Sequence, residues 1–181
     1  MLSSSRRRDT LLPMAQIAED LFLLLLDSAS AQPGLDRPRR DHVLAAAPLL
    51  DLAHACRIRP AVEGESVQPG RLVALHTGGR SDSVAEPAFE LLAARPLPPA
   101  AAIKKVGKDV QDRLVERLEQ TGQIRRTALP SKRFSRNYAF PLTNRDRVGP
   151  ARAALLSALF DRTPPAPAPA PGVAARHAAD G

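Results

Sequence analysis

A chain of 181 residues is one domain's worth and can bury roughly 70% of its unfolded surface, but only 3% of it is aromatic, so Leu, Ala and Val must fill the core. A net charge of +7 and a pI near 10.6 favour anionic partners such as phosphates, nucleic acid or acidic lipid heads. The single cysteine, Cys56, excludes a disulfide framework and suits a reducing compartment, and no apolar run approaches the ~20 residues of a membrane-spanning helix.

Arg outnumbers Lys by 22 to 4, the skew of a GC-rich genome, so the placement of charge says more than its amount. Residues 1–12 read as a flexible basic arm. Arg6-Arg7-Arg8, LFLLLL at 21–26 and SASA at 28–31 imitate a secretory signal, but Glu19 and Asp20 interrupt the apolar region and its uncharged run of six is short. The better reading is a buried helix from Pro13, apolar on every side in its second half. A loop at 28–40 follows, then a second helix capped by Asp41 through HVLAAAPLLDLAHACRI, with Pro48 expected to kink it or delay its start. RPAVEGESVQPG reads as a loop, RLVALHTGG as a short strand and VAEPAFELLAA as a short helix.

The clearest periodicity runs from Ala100 to Gln120. Ile103, Val106, Val110, Leu114 and Leu118 build one apolar stripe, Lys104, Lys108 and Gln111 one polar stripe, and Gly122 ends the helix. Residues 124–142 then read as a β-hairpin turning at Pro130-Ser131-Lys132-Arg133, with Arg136, Tyr138, Phe140 and Leu142 alternating with smaller residues. A last helix begins at Pro150, and residues 163–181 form a disordered Pro/Ala tail.

Catalytic patterns are missing from this sequence: it holds no HExxH, no GxSxG, no second cysteine for a metal set and no Gly-rich phosphate loop. His42 and His54 are turned about 120° from each other on one helix. Asp51 and His54 read as a satisfied pair and Cys56 as a small core residue. The expectation is a protein without catalysis and without a cofactor or metal. Charge placed on structure remains: Arg125, Arg126, Lys132, Arg133, Arg136, Arg145 and Arg147 face one acid, Asp146, between residues 123 and 147. Basic residues gathered beside Phe134, Tyr138 and Phe140 suit an anionic lipid surface, a nucleic acid, or simply a solvated face.

The order IAEDLFLLLLD, LLDLAHACRI, DRLVERLEQTGQIRR and FPLTNRD resembles the Golgi phosphoprotein 3 family, in its bacterial, actinobacterial-like branch, over about residues 14–160. The resemblance implies a mainly α fold across 13–162, a compact bundle of buried and amphipathic helices with one projecting β-hairpin. It implies a non-enzymatic, cytoplasmic, peripheral membrane protein binding anionic phospholipid heads, since eukaryotic members bind phosphatidylinositol 4-phosphate. Their lipid-pocket positions fall at Asp36, Ala45, Lys108 and Gln111, of which only Lys108 keeps the charge; Arg37, Arg39 and Arg40 lie beside Asp36 as substitutes. The expected lipid site is therefore Lys104, Lys108, Gln111, Arg37, Arg39 and Arg40. The expected membrane and homo-oligomer hairpin carries Arg125, Arg126, Lys132, Arg133, Phe134 and Arg136. After Asp161-Arg162-Thr163 the chain departs from the family pattern and resembles a C-terminally shortened member. Two rival readings use the same hairpin: a nucleic-acid-binding or regulatory module, and a protein-interaction scaffold.

Overall fold

A computed structural model describes residues 17–75, 83–130 and 137–160, the side chains of 154 and 157–160 excepted. The expected arm at 1–12, the hairpin turn and the tail at 163–181 lie outside these residues, apart from Pro130 at the start of the turn. The fold is mainly helical: α1 (Ile17–Leu25), α2 (Arg37–His54), α3 (Glu86–Ala94), α4 (Pro99–Val106), α5 (Val110–Gln120) and α6 (Val148–Phe160). Two antiparallel pairs accompany them, β1 (Ile58–Pro60) with β2 (Leu72–Ala74) and β3 (Thr127–Ala128) with β4 (Tyr138–Ala139).

α2 lies between two apolar cores. Its Leu44 and Ala47 join Phe22 and Leu23 of α1, Val110, Leu114 and Leu118 of α5, and Phe140 of the hairpin. Its Leu49 and Leu52 join Phe89 and Leu92 of α3, Ala102 of α4, and Ile58 and Leu97 around the first strand pair. The LFLLLL run is thus a core segment: Phe22 and Leu23 are fully buried, and the Phe22 and Phe140 rings meet edge to face at 5.7 Å. The acids that interrupt this run have structural partners. Glu19, only 3% exposed, accepts from Arg117 at 3.3 Å and Arg147 at 2.6 Å, and Arg147 also donates to Asp20.

Four local expectations need correction. α2 starts at Arg37, earlier than Asp41 suggested, because Asp36 caps it by accepting from Arg39 N at 3.0 Å and Pro38 fits the first turn. The helix runs on through Pro48 without delay, since packing on both sides holds a turn that lacks one backbone donor. The expected helix at 100–120 is two helices, broken at Gly107–Asp109. A side chain at Gly107 would come within 3.3 Å of Ala45 Cβ, so the chain passes close against α2 at this point. Finally, the stretch after α2 opens with β1 instead of loop, paired Ile58 to Ala74 and Pro60 to Leu72.

The ends of α2 and α5 share one geometry. Gly122, at φ +67°, lets Gly122 N and Gln123 N reach the carbonyls of Glu119 and Leu118. At α2 Cys56 takes the same place at φ +54°, with Cys56 N and Arg57 N bonded to Ala53 and Leu52. That position points away from the core, and Cys56 is exposed, contrary to its expected burial.

Candidate functional site

The first turn of α2 and the α4–α5 junction form the two walls of a groove of about 580 Å³. Arg37, Asp41, His42 and Ala45 come from α2, and Lys104, Gly107 and Lys108 from the opposite wall. Three basic side chains thus face one carboxylate. Arg37 is engaged by Asp41 at 3.6 Å, whereas neither Lys104 nor Lys108 has an acid within 4 Å among the described residues. Both lysines are exposed, and the positive end of the α2 dipole points the same way. The missing side chain at Gly107 and the small one at Ala45 leave the floor open.

The expected lipid-site residues divide. Arg37, Lys104 and Lys108 share this groove, together with His42, to which the sequence assigned no role. Gln111 does not: the break at Gly107 rotates α5 relative to α4, and Gln111 lines a separate cavity with Arg40. Arg39 is held by Asp36 at 3.3 Å on the outside of the cap. Asp36 itself spends its charge on Arg39 and the α2 N-terminus, so it does not line the groove.

The expected hairpin is present, with Thr127 opposite Ala139, Ala128 opposite Tyr138 and a bridge between Ile124 and Leu142, a register that centres the turn nearer residue 133 than the expected Pro130–Arg133. Lys132, Arg133, Phe134 and Arg136 lie outside the described residues. Of the rest, Arg125 is exposed, while Arg126 pairs with Glu119 at 3.3 Å and lies 5.5 Å from the Tyr138 ring centre. Arg147 is also committed. Burial disfavours its charge, but hydrogen bonding to Glu19 and the nearby Asp20 outweigh that and raise its pKa above the usual value. Asp51, read with His54 as a surface or satisfied pair, uses its carboxylate to accept from Ile17 N at 2.6 Å and Ala18 N at 3.0 Å. Among the described residues no group of His, Cys, Asp and Glu could hold a metal ion, and no helix is long and apolar enough to cross a membrane.

A helical domain with buried central helices, a hairpin and a cationic surface groove is the class of protein these features define. The family model for Golgi phosphoprotein 3 matches residues 17–180, nearly the whole length, and the chain belongs to that family, which is associated with phosphoinositide and lipid-related function. No curated protein matches the chain.

Proposed function

We propose that this protein is a non-enzymatic peripheral membrane protein whose groove between α2 and α4 receives the anionic head of a phospholipid, including phosphatidylinositol 4-phosphate. The observation that carries this reading is the convergence of Arg37, Lys104 and Lys108 on one open groove, with both lysines lacking an acidic partner among the described residues. Arg125 extends the same sign of charge onto the hairpin. Nucleic-acid binding fits less well. Stacking on bases needs exposed aromatic faces, but among the described side chains Phe22, Phe89 and Phe140 are buried and Tyr138 is half-buried against Arg126.

Flotation with liposomes tests the proposal, using neutral lipid alone, with phosphatidylglycerol, and with phosphatidylinositol 4-phosphate at equal charge. Binding to both anionic mixtures, weakened by salt, is the expected result. Lys104→Ala and Lys108→Ala should each weaken it about fivefold, the worth of one basic residue near an anionic leaflet. A stronger response to the phosphoinositide would assign headgroup selectivity to the groove. Absence of binding, or binding untouched by the double substitution, would sink the proposal.

A further inference from the structure

A second, smaller cavity of about 240 Å³ lies under the base of the hairpin. Four segments meet there: Gln32 from the loop before α2, Arg40 from α2, Gln111 from α5, and Asn137 and Tyr138 from the returning arm of the hairpin. Phe140, on the same strand face as Tyr138, supplies an apolar wall and is anchored by its N–H to Ala31 O at 2.7 Å. Among the described residues the polar lining is one guanidinium, three carboxamides and one phenol, with no carboxylate. Every one of these groups can donate a hydrogen bond.

Arg40 gives the cavity its sign. Its side chain is 17% exposed, and the nearest acid, Asp41 Oδ1, stands at the 4.0 Å limit from Nε. That Nε is buried and without a hydrogen-bond partner among the described residues. A buried cationic donor left unmade is unfavourable, and an acceptor brought in by a ligand would relieve it. The size restricts the candidates. With a water's share of liquid near 30 Å³, the space takes about eight waters, or one tetrahedral oxyanion with part of its hydration shell. It falls below the roughly 300–1,000 Å³ of sites for drug-sized ligands.

We propose that this pocket binds a small oxyanion, such as inorganic phosphate, sulfate or a terminal phosphomonoester, separately from the lysine groove. An occupant would bridge Arg40 and Gln111 to Asn137 and Tyr138, clamping the returning arm of the hairpin onto α2 and α5. Lys104 and Lys108 do not line this pocket, so its failure and that of the membrane reading can be told apart.

Tyr138 is the only tyrosine and the chain has no tryptophan, so near-ultraviolet-excited emission reports on this pocket alone. The intact protein is titrated with sodium phosphate and with sodium sulfate against chloride at constant ionic strength. A saturable change in Tyr138 emission is expected. Arg40→Gln should shift its midpoint by about tenfold, the worth of one charge-assisted hydrogen bond, and Lys104→Ala/Lys108→Ala should leave it in place. Gln111→Leu, which removes one donor at nearly constant size without touching the cation, should also weaken the response and covers the case in which Arg40→Gln fails to fold. Vesicles of phosphatidic acid and of phosphatidylglycerol at equal charge separate a lipid-borne monoester from a free ion. A response to phosphatidic acid alone would assign the oxyanion to a lipid. A response that never saturates, or one that survives both Arg40→Gln and Gln111→Leu, would overturn the pocket.

Discussion

The first two amides of α1 described here, Ile17 N and Ala18 N, donate to the carboxylate of Asp51, a residue of α2 that is 8% exposed. Helix N-termini carry amides without intrahelical partners, and a tertiary contact from α2 satisfies these two. Asp51→Ala should cost about 1–2 kcal/mol, the upper range for losing a cap, seen as a lower urea midpoint with an unchanged slope. Asp51→Asn should lose less, because its amide oxygen still accepts. Glu19 is a second case of a residue satisfied from afar. Glu19→Gln should destabilise by about 2 kcal/mol, less than for a fully buried pair, because Arg117 and Arg147 keep about a third of their surface in water. At Cys56 the opposite sign is expected. A left-handed conformation costs an L-residue roughly 1–2 kcal/mol and glycine almost nothing, while glycine gains more freedom on unfolding. Cys56→Gly should therefore raise the melting temperature by the equivalent of about 0.5–1 kcal/mol. An unchanged melt would mean that the contacts of the thiol match the backbone strain.

Among the elements, the loop joining α1 to α2 shapes both the hairpin anchor and the small cavity. Asp27 holds it: the carboxylate accepts from Ser30 N, from the Ser30 hydroxyl and from Ala29 N, and its pKa is lowered, chiefly by the Ser30 backbone bond and then by the hydroxyl. A depressed folded pKa contributes stability that is present above the usual value near 3.8 and lost as pH falls through the lower folded one. Ser30→Ala removes one of these bonds, so acid should release the loop at a higher pH than in the parent, followed through Tyr138 emission across an acid titration. The hairpin makes a different prediction. Arg126 already has Glu119 and Tyr138 as neighbours, whereas Arg125 is exposed, so Arg125→Ala should weaken liposome binding more than Arg126→Ala. Equal losses would show that Arg126 leaves Glu119 when a membrane is offered. The helix broken at Gly107 carries the groove as well. Gly107→Val would press on Ala45 and Ile103 O, costing about 1–3 kcal/mol by overpacking and narrowing the space between Arg37 and Lys104.

At the scale of the whole molecule, a net charge of +7 is distributed unevenly between structural and available cations. Arg117, Arg126 and Arg147 hold elements together, while Lys104, Lys108 and Arg125 face solvent, so the salt dependence of membrane binding should follow the second set. Leu155 and Leu156 of α6 are 45% and 48% exposed, so this helix presents apolar surface outward as well as its contact with α1. The helical class, the hairpin, the buried LFLLLL segment and the stop at Gly122 were legible in the sequence, because each rests on a local signal: periodicity, alternation or a glycine able to take positive φ. The hairpin's register was not, because alternation assigns faces within a strand and not the partner across it. Cys56 at the matching position of α2 was not legible, since nothing in its side chain announces that backbone. The helix break at Gly107 was hidden for a related reason. An unbroken 3.6-residue rhythm fits one helix, and only the close approach of α2 at Ala45 shows why the chain turns there. What the sequence by itself determined is which residues are apolar, which are charged, and where regular structure can run. Tertiary structure decided how the charges are used. Packing set Glu19 and Asp51 against distant partners, and the turn at Gly107 sent Lys104 and Lys108 into one cavity and Gln111 into another, because contact across the fold depends on how helices cross and not on their spacing along the chain.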